Sequence, residues 1–191
     1  MAKKKAEDQD SIVLNSKKIY NVMQGILLRE EKIDKVGELF WMMGITNSNC
    51  IQYVELVEMD DEDPSNIEPM NIYRWAVMKG SPNVILVHNH PSGDLQPTEE
   101  EKDLTDRLIQ VGNILNINVV EHLIITNKTY LSFADTGLLA ELKRSEKWVP
   151  KFELEERIHR QIATEMKLKG IDSTIIADTT GLTIEEIEEL D

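Results

Sequence analysis

The chain has 191 residues, 41% hydrophobic and 29% charged, which suits one compact domain with a modest extension and enough apolar mass for an unstapled core. Cys50 is the only cysteine, which excludes a disulfide framework and a thiolate zinc site within one chain. The 21 basic and 35 acidic residues leave a formal charge of −14, which opposes binding to nucleic-acid phosphates.

The N-terminus begins with Lys3, Lys4 and Lys5, but Glu7, Asp8 and Asp10 follow where a signal peptide needs an apolar run. Residues 1–11 therefore read as a disordered charged tail. Apolar stretches such as Leu39–Met43 and Val84–Val87 are too short to cross a bilayer, so the expectation is a soluble, cytoplasmic protein.

Ser16 to Leu28 predicts an amphipathic helix, with Ile19, Val22, Met23, Ile26 and Leu27 at spacings of three and four. Glu38 to Ile45 and Ile51 to Val57 predict strands joined by the turn Thr46-Asn47-Ser48-Asn49. Asp60 to Ser65 is an acidic loop, and Pro69 sits near the start of a helix that ends before Gly80. The continuous apolar run Val84–Val87 is that of a strand buried on both faces. Another helix starts at Pro97 and Thr98, with Leu104, Leu108 and Val111 on its buried side. Val119 to Thr126 and Tyr130 to Phe133 complete the strands, giving a mixed α/β sheet flanked by helices.

Composition shifts after Leu142. Residues 143–191 predict a helical extension with turns at Gly170 and Gly181, two short helices resembling a helix-turn-helix. Lys143, Arg144, Lys147 and Lys151 could form a local basic patch, but Glu185, Glu186, Glu188 and Glu189 would repel DNA from the second helix. A partner-docking or capping role suits the extension better.

The chemistry concentrates after Val87. His88 and His90 are two apart in a strand, so both imidazoles face one side while Asn89 points away, and Pro91-Ser92-Gly93 turns the chain outward. Two histidines at the carboxyl end of a buried strand suit zinc or a similar metal, with a third ligand required. Asp94, Glu99, Glu100, Glu101 and Asp103 are all candidates by position. Thr98 and Glu101 also form a capping box, so spacing leaves both roles open for that glutamate.

His88-Asn89-His90-Pro91-Ser92-Gly93-Asp94, with Thr98 and Glu101 downstream, resembles the JAMM motif of JAB/MPN-type metal domains in its bacterial RadC form. The likeness extends over roughly residues 12–140. Glu38-Leu39-Phe40 is similar to the glutamate-bearing first strand, and Glu121-His122-Leu123-Ile124-Ile125 to the family's Asp-His-hydrophobic segment. Tyr130-Leu131-Ser132-Phe133 and Gly137-Leu138-Leu139 resemble its usual ending.

The resemblance implies an MPN/cytidine-deaminase-like architecture and a zinc metallohydrolase acting on peptide or isopeptide bonds. It assigns one zinc ion to His88, His90 and Glu101 and proton transfer to Glu38. Thr98 takes the place of a serine that helps hold the oxyanion, and Glu101 that of an aspartate. His122 is a candidate for a supporting role behind the metal, and His159 reads as solvated. Two alternatives accompany this reading. One is a non-catalytic scaffold that docks a protein through the C-terminal helices. The other is the DNA-repair association long attached to the RadC branch, which the net charge disfavours.

Overall fold

Val84–Val87 is apolar at every position because both faces of its strand are covered. Val84 and Leu86 join one buried cluster, whereas Ile85 and Val87 join another on the opposite face. The computed structural model describes residues 14–27, 37–57 and 67–190. The expected charged tail and the acidic loop at 60–65 lie outside the described residues.

The first unit, Met1–Ser145, carries one five-stranded sheet. Its elements are α1 (Ser16–Leu27), β1 (Phe40–Ile45), β2 (Ile51–Val57), α2 (Pro69–Lys79), β3 (Asn83–Asn89), α3 (Glu99–Leu115), β4 (Asn118–Ile125), β5 (Tyr130–Ser132) and α4 (Leu138–Leu142). Strand order is β2-β1-β3-β4-β5. Only β3 and β4 run parallel, and α3 makes the crossover between them. The remaining pairs are antiparallel, including the expected hairpins β1–β2 and β4–β5. This is the mixed α/β sheet that the sequence predicts.

Alternation of side chains sorts the helices. Ile19, Tyr20, Met23 and Leu27 of α1 pack on Trp41, Met43, Ile85, Val87, Leu123 and Ile125. Ile72, Tyr73 and Ala76 of α2, with Leu104 and Leu108 of α3, cover Phe40, Met42, Val84 and Leu86 on the other face. Burying an aliphatic or aromatic side chain stabilises by about 1.5–3 kcal/mol, so these two layers carry most of the unit's stability.

Two departures from strict strand periodicity bear on function. In β4 the partner of Ile85 is Glu121, although the preceding pair is Val84 with Val119, so Val120 is an extra residue. Simple alternation would put Glu121, Leu123 and Ile125 on the same face as Val119. The bulge moves them to the α1 side and turns His122 and Ile124 toward α3. Glu121 then accepts hydrogen bonds from Ser16 of α1, Ser132 of β5 and the N–H groups of His122 and Ala134. The second departure corrects the start of β1, which is Phe40 rather than Glu38. Pairing with β3 ends at Phe40 and His88, and the Asn89 side chain takes over as acceptor for Leu39 N–H.

The second unit, Glu146–Asp191, has three helices where the sequence suggested two: α5 (Lys151–Leu168), α6 (Ser173–Thr180) and α7 (Ile184–Glu188). The turns do fall at Gly170 and Gly181, and two turns separate three helices once the segment before Gly170 is helical throughout. Ala163, Ile176, Leu182 and Ile187 form its small core. Glu185, Glu188 and Glu189 are exposed, as is His159. No helix among the described residues is long and apolar enough to cross a membrane.

Close approach of α2 and α3 depends on Gly112, where a Cβ would press on the Ile117 carbonyl and the Tyr73 hydroxyl. Tyr73 is itself tied to α3 by a hydrogen bond to the Leu108 carbonyl. Gly112→Ala is expected to destabilise by about 1–3 kcal/mol through overpacking. A urea midpoint equal to that of the wild type would contradict this packing.

Candidate metal centre

His88 is the next-to-last residue of β3 and His90 the first beyond it, so the strand delivers both rings to one end of the sheet. His88 is wholly buried and stacks parallel on Phe40, ring centroids 5.9 Å apart. The chain then turns sharply: Gly93 N–H donates to the His90 carbonyl at 3.1 Å, and Gly93 has φ +85°, a conformation that glycine adopts without strain. This turn brings the Asp94 carbonyl to 2.8 Å from His90 Nδ1.

Glu101 comes from the first turn of α3 and is also buried. Its two oxygens have separate partners. Oε2 accepts the Thr98 N–H at 2.7 Å, while Thr98 Oγ1 accepts the Glu101 N–H at 3.1 Å, which is a complete capping box. Oε1 lies 3.1 Å from His88 Nε2 and 2.7 Å from His90 Nε2, and the two nitrogens are 2.9 Å apart. Glu101 is therefore helix cap and candidate ligand at once. Of the five carboxylates that spacing left open, it is the one that meets both histidines: Glu99 pairs with Lys102, and Asp94 turns its Oδ1 to the Gln96 N–H.

The hydrogen-bond network assigns the ring protons. The Thr105 hydroxyl donates to the Glu101 carbonyl, so its oxygen accepts from His122 Nδ1 at 2.8 Å. Neutral His122 then has a bare Nε2, which accepts from His88 Nδ1 at 2.9 Å. A carbonyl can only accept, so His90 Nδ1 donates to Asp94. Both inward nitrogens, His88 Nε2 and His90 Nε2, are left with lone pairs facing Glu101 Oε1. Three lone pairs at this separation offer a place for a cation, and two imidazoles with a carboxylate are a ligand set suited to a divalent metal. Their spacings of 2.7 to 3.1 Å are close to the edges, about 3.3 Å, of a coordination tetrahedron with bonds of about 2.0–2.1 Å.

The titration behaviour agrees. Burial pushes His88 down despite the opposing pull of Glu101, and burial with the neighbouring His88 pushes His122 well down. Burial also acts to lower His90, but Glu101, the Asp94 carbonyl and Glu38 reverse it and raise the ring's pKa. Burial acts to raise Glu101, and its hydrogen bonds to the imidazoles overcome it, so the carboxyl is held well below the usual range. A proton on His90 Nε2 and a metal ion compete for the same position between the rings and the carboxylate. A metal must displace that proton.

Above the triad an open cleft of about 330 Å³ brings Glu38 and Thr98 together with His90 and Glu101. Glu38 is half-buried at the start of the β1 segment, which Asn89 holds in place: Oδ1 of Asn89 accepts the Leu39 N–H at 2.7 Å, and Asn89 N–H donates to the Leu39 carbonyl. All five expected site residues thus lie around one cleft or its floor. Thr105 and the anchoring role of Asn89 escaped the sequence reading. Thr105 had a signal, since it follows Glu101 by four residues and so shares its helix face. Asn89 had none, because its partner is 50 residues away.

A mixed sheet with two strand-end histidines beside a helix-borne carboxylate fits a JAB-type fold with a candidate metal site. The chain belongs to the RadC-like JAB domain family, which it matches over residues 13–138. It is 34% identical over 125 residues to a UPF0758 protein of Thermotoga maritima, covering 65% of this chain and 54% of that one. It is 32% identical over 133 residues to a UPF0758 protein of Methanosarcina mazei, covering 70% and 56%. The chain spans a little over half the length of these curated relatives.

Two expectations test the centre. Thr98→Ala removes one cap and should cost about 0.5–2 kcal/mol with metal stoichiometry intact, whereas Glu101→Ala should lose stability and metal together. Urea unfolding and metal titration read both, and intact metal binding in Glu101→Ala would contradict the dual role. His122→Ala, which leaves His88 Nδ1 without its acceptor, should weaken metal affinity about 10–100-fold.

Proposed function

We propose that the protein is a zinc-dependent hydrolase that cleaves a peptide or isopeptide bond. The observation that carries this reading is the convergence of three lone pairs from His88, His90 and Glu101 beneath a cleft lined by a further carboxylate, Glu38. Zinc suits two imidazoles and one carboxylate with a position left open. A zinc ion held there supplies Lewis acidity that polarises an amide carbonyl and makes water acidic at neutral pH.

The chain's own residues supply the rest. Glu38 accepts the proton of the attacking water on its carboxylate and returns it to the nitrogen of the leaving amine. Its backbone is tied through Leu39 to Asn89, one residue from each histidine, so base and ligands keep a fixed separation. Thr98 Oγ1 already accepts the Glu101 N–H, and its own hydrogen has no acceptor among the described residues. That hydrogen is free to donate to the oxygen of a tetrahedral intermediate, a contribution of about 10²–10³ in rate. The extra methylene of Glu101 relative to aspartate lets one oxygen reach the histidines while the other keeps the cap.

A second reading is a non-catalytic scaffold whose residues 146–191 dock a partner protein. It is favoured by Phe152 and Leu168, both strongly exposed apolar side chains of α5.

Metal analysis with variants decides between them. The hydrolase reading expects about one zinc per chain, lost in His90→Ala and retained in Glu38→Gln. It also expects cleavage of a mixed peptide library to fall by about 10²–10⁴ in Glu38→Gln. Wild-type protein that takes up no added zinc would overturn the hydrolase reading.

A further inference from the structure

The His90–Gly93 turn borders a second cleft besides that of Glu38, of about 390 Å³, which opens at the carboxyl ends of the parallel strands β3 and β4. In open α/β sheets that end is where ligands bind. His90 and Ser92 line both clefts, and Asn89, Lys128 and Leu27 line only the second.

Asn89 is the informative residue. It is 4% exposed, and its Oδ1 accepts the Leu39 N–H at 2.7 Å. A backbone N–H can only donate, so the orientation of the amide is determined and its NH2 group is at the opposite end. That NH2 group has no acceptor among the described residues, although the residue wall on which it lies belongs to the cleft. The residue is buried, but its Nδ2 is not among the buried side-chain atoms that lack a partner, so the amide reaches solvent and can give its hydrogens to an acceptor received in the cleft.

Lys128 adds an ammonium to the same cleft. The contrast with the metal side is sharp, because Glu38, Asp94, Glu100 and Glu101 line that cleft and would repel an anion. Across the whole chain the charge of −14 disfavours anions, so any anion preference here must come from these local donors. A carboxylate has two acceptor oxygens, which matches one amide donor and one ammonium.

We propose that this second cleft receives a carboxylate of the ligand, either a peptide C-terminus or an acidic side chain, beside the bond presented to the Glu38 cleft. That the occupant is a substrate rests on the hydrolase reading above; the carboxylate site itself does not. The turn shared by both clefts gives the ligand a short path from one to the other.

The test uses the chain, zinc-loaded and isotope-labelled, titrated with three probes: N-acetylglycylglycine, its C-terminal amide, and the α-amide of N-acetylglycylglutamic acid, whose one carboxylate is on the side chain. The Asn89 side-chain amide signals are followed in wild-type protein and Lys128→Ala, and the backbone amide signals of Ser92 and Gly93, which line the same cleft, in every form including Asn89→Asp. The expected result is a saturable shift with one or both carboxylate probes and none with the neutral amide. Which carboxylate probe binds identifies its source. Asn89→Asp keeps an acceptor for the Leu39 N–H but replaces the donor with an oxygen, and Lys128→Ala removes the ammonium. Each should weaken binding by about tenfold or more with zinc content unchanged. Equal shifts with the neutral amide, no shift with any probe, or undiminished binding in both variants would overturn the proposal; the last would place the carboxylate on the metal. If the chain takes up no zinc, the hydrolase reading falls, and the same titration of metal-free protein still decides the cleft.

Discussion

Glu101 divides its carboxylate between a helix and a pair of histidines, and the arrangement of the domain around it follows from that division. One oxygen closes the capping box that starts α3, which sets where the helix begins and therefore where the glutamate stands. The other oxygen faces two imidazole nitrogens in an arrangement that could hold a metal ion. Helix start and metal centre are consequently one structural unit. The strand end, the Gly93 turn and the first turn of α3 must all be formed before either is complete.

Behind the histidines the polar interior is satisfied in a single direction. Thr105 and His122 each give a hydrogen and receive one, while His88 gives its own to His122 and keeps a lone pair directed at the centre. Such a sequence tolerates full burial because no donor or acceptor is left over, and it fixes the ring orientation that a metal needs. Charge is distributed with equal economy. The imidazoles at the back are held neutral by burial, and the negative groups gather on the solvent side of the cleft around Glu38.

Much of the fold was legible because it rests on local rules. The both-face burial of β3 follows from four consecutive aliphatic residues, and the two hairpins from polar turns of the right length. The start of α2 follows from Pro69, and that of α3 from the capping-box residues. The site was legible to the same extent: His88 and His90 at a spacing of two must share a face of a strand. What periodicity misjudged was the tail, where a continuous helix before Gly170 makes the unit three-helical.

The linear chain by itself determined the histidine pair, the capping glutamate and the alternating helices and strands, since each depends on neighbours within a few positions. It could not choose among five nearby carboxylates, nor say whether Glu101 caps or binds. The answer, that it closes the cap and meets both histidines at once, required α3 to be laid against the end of β3. Likewise His122 reaches the centre only because an extra residue at Val120 reverses the facing of β4. The Glu38 segment is tied there by Asn89, which accepts the Leu39 N–H across 50 residues. Those contacts join segments far apart in sequence, so the physical information that specifies them exists only once the sheet has closed and its register is set.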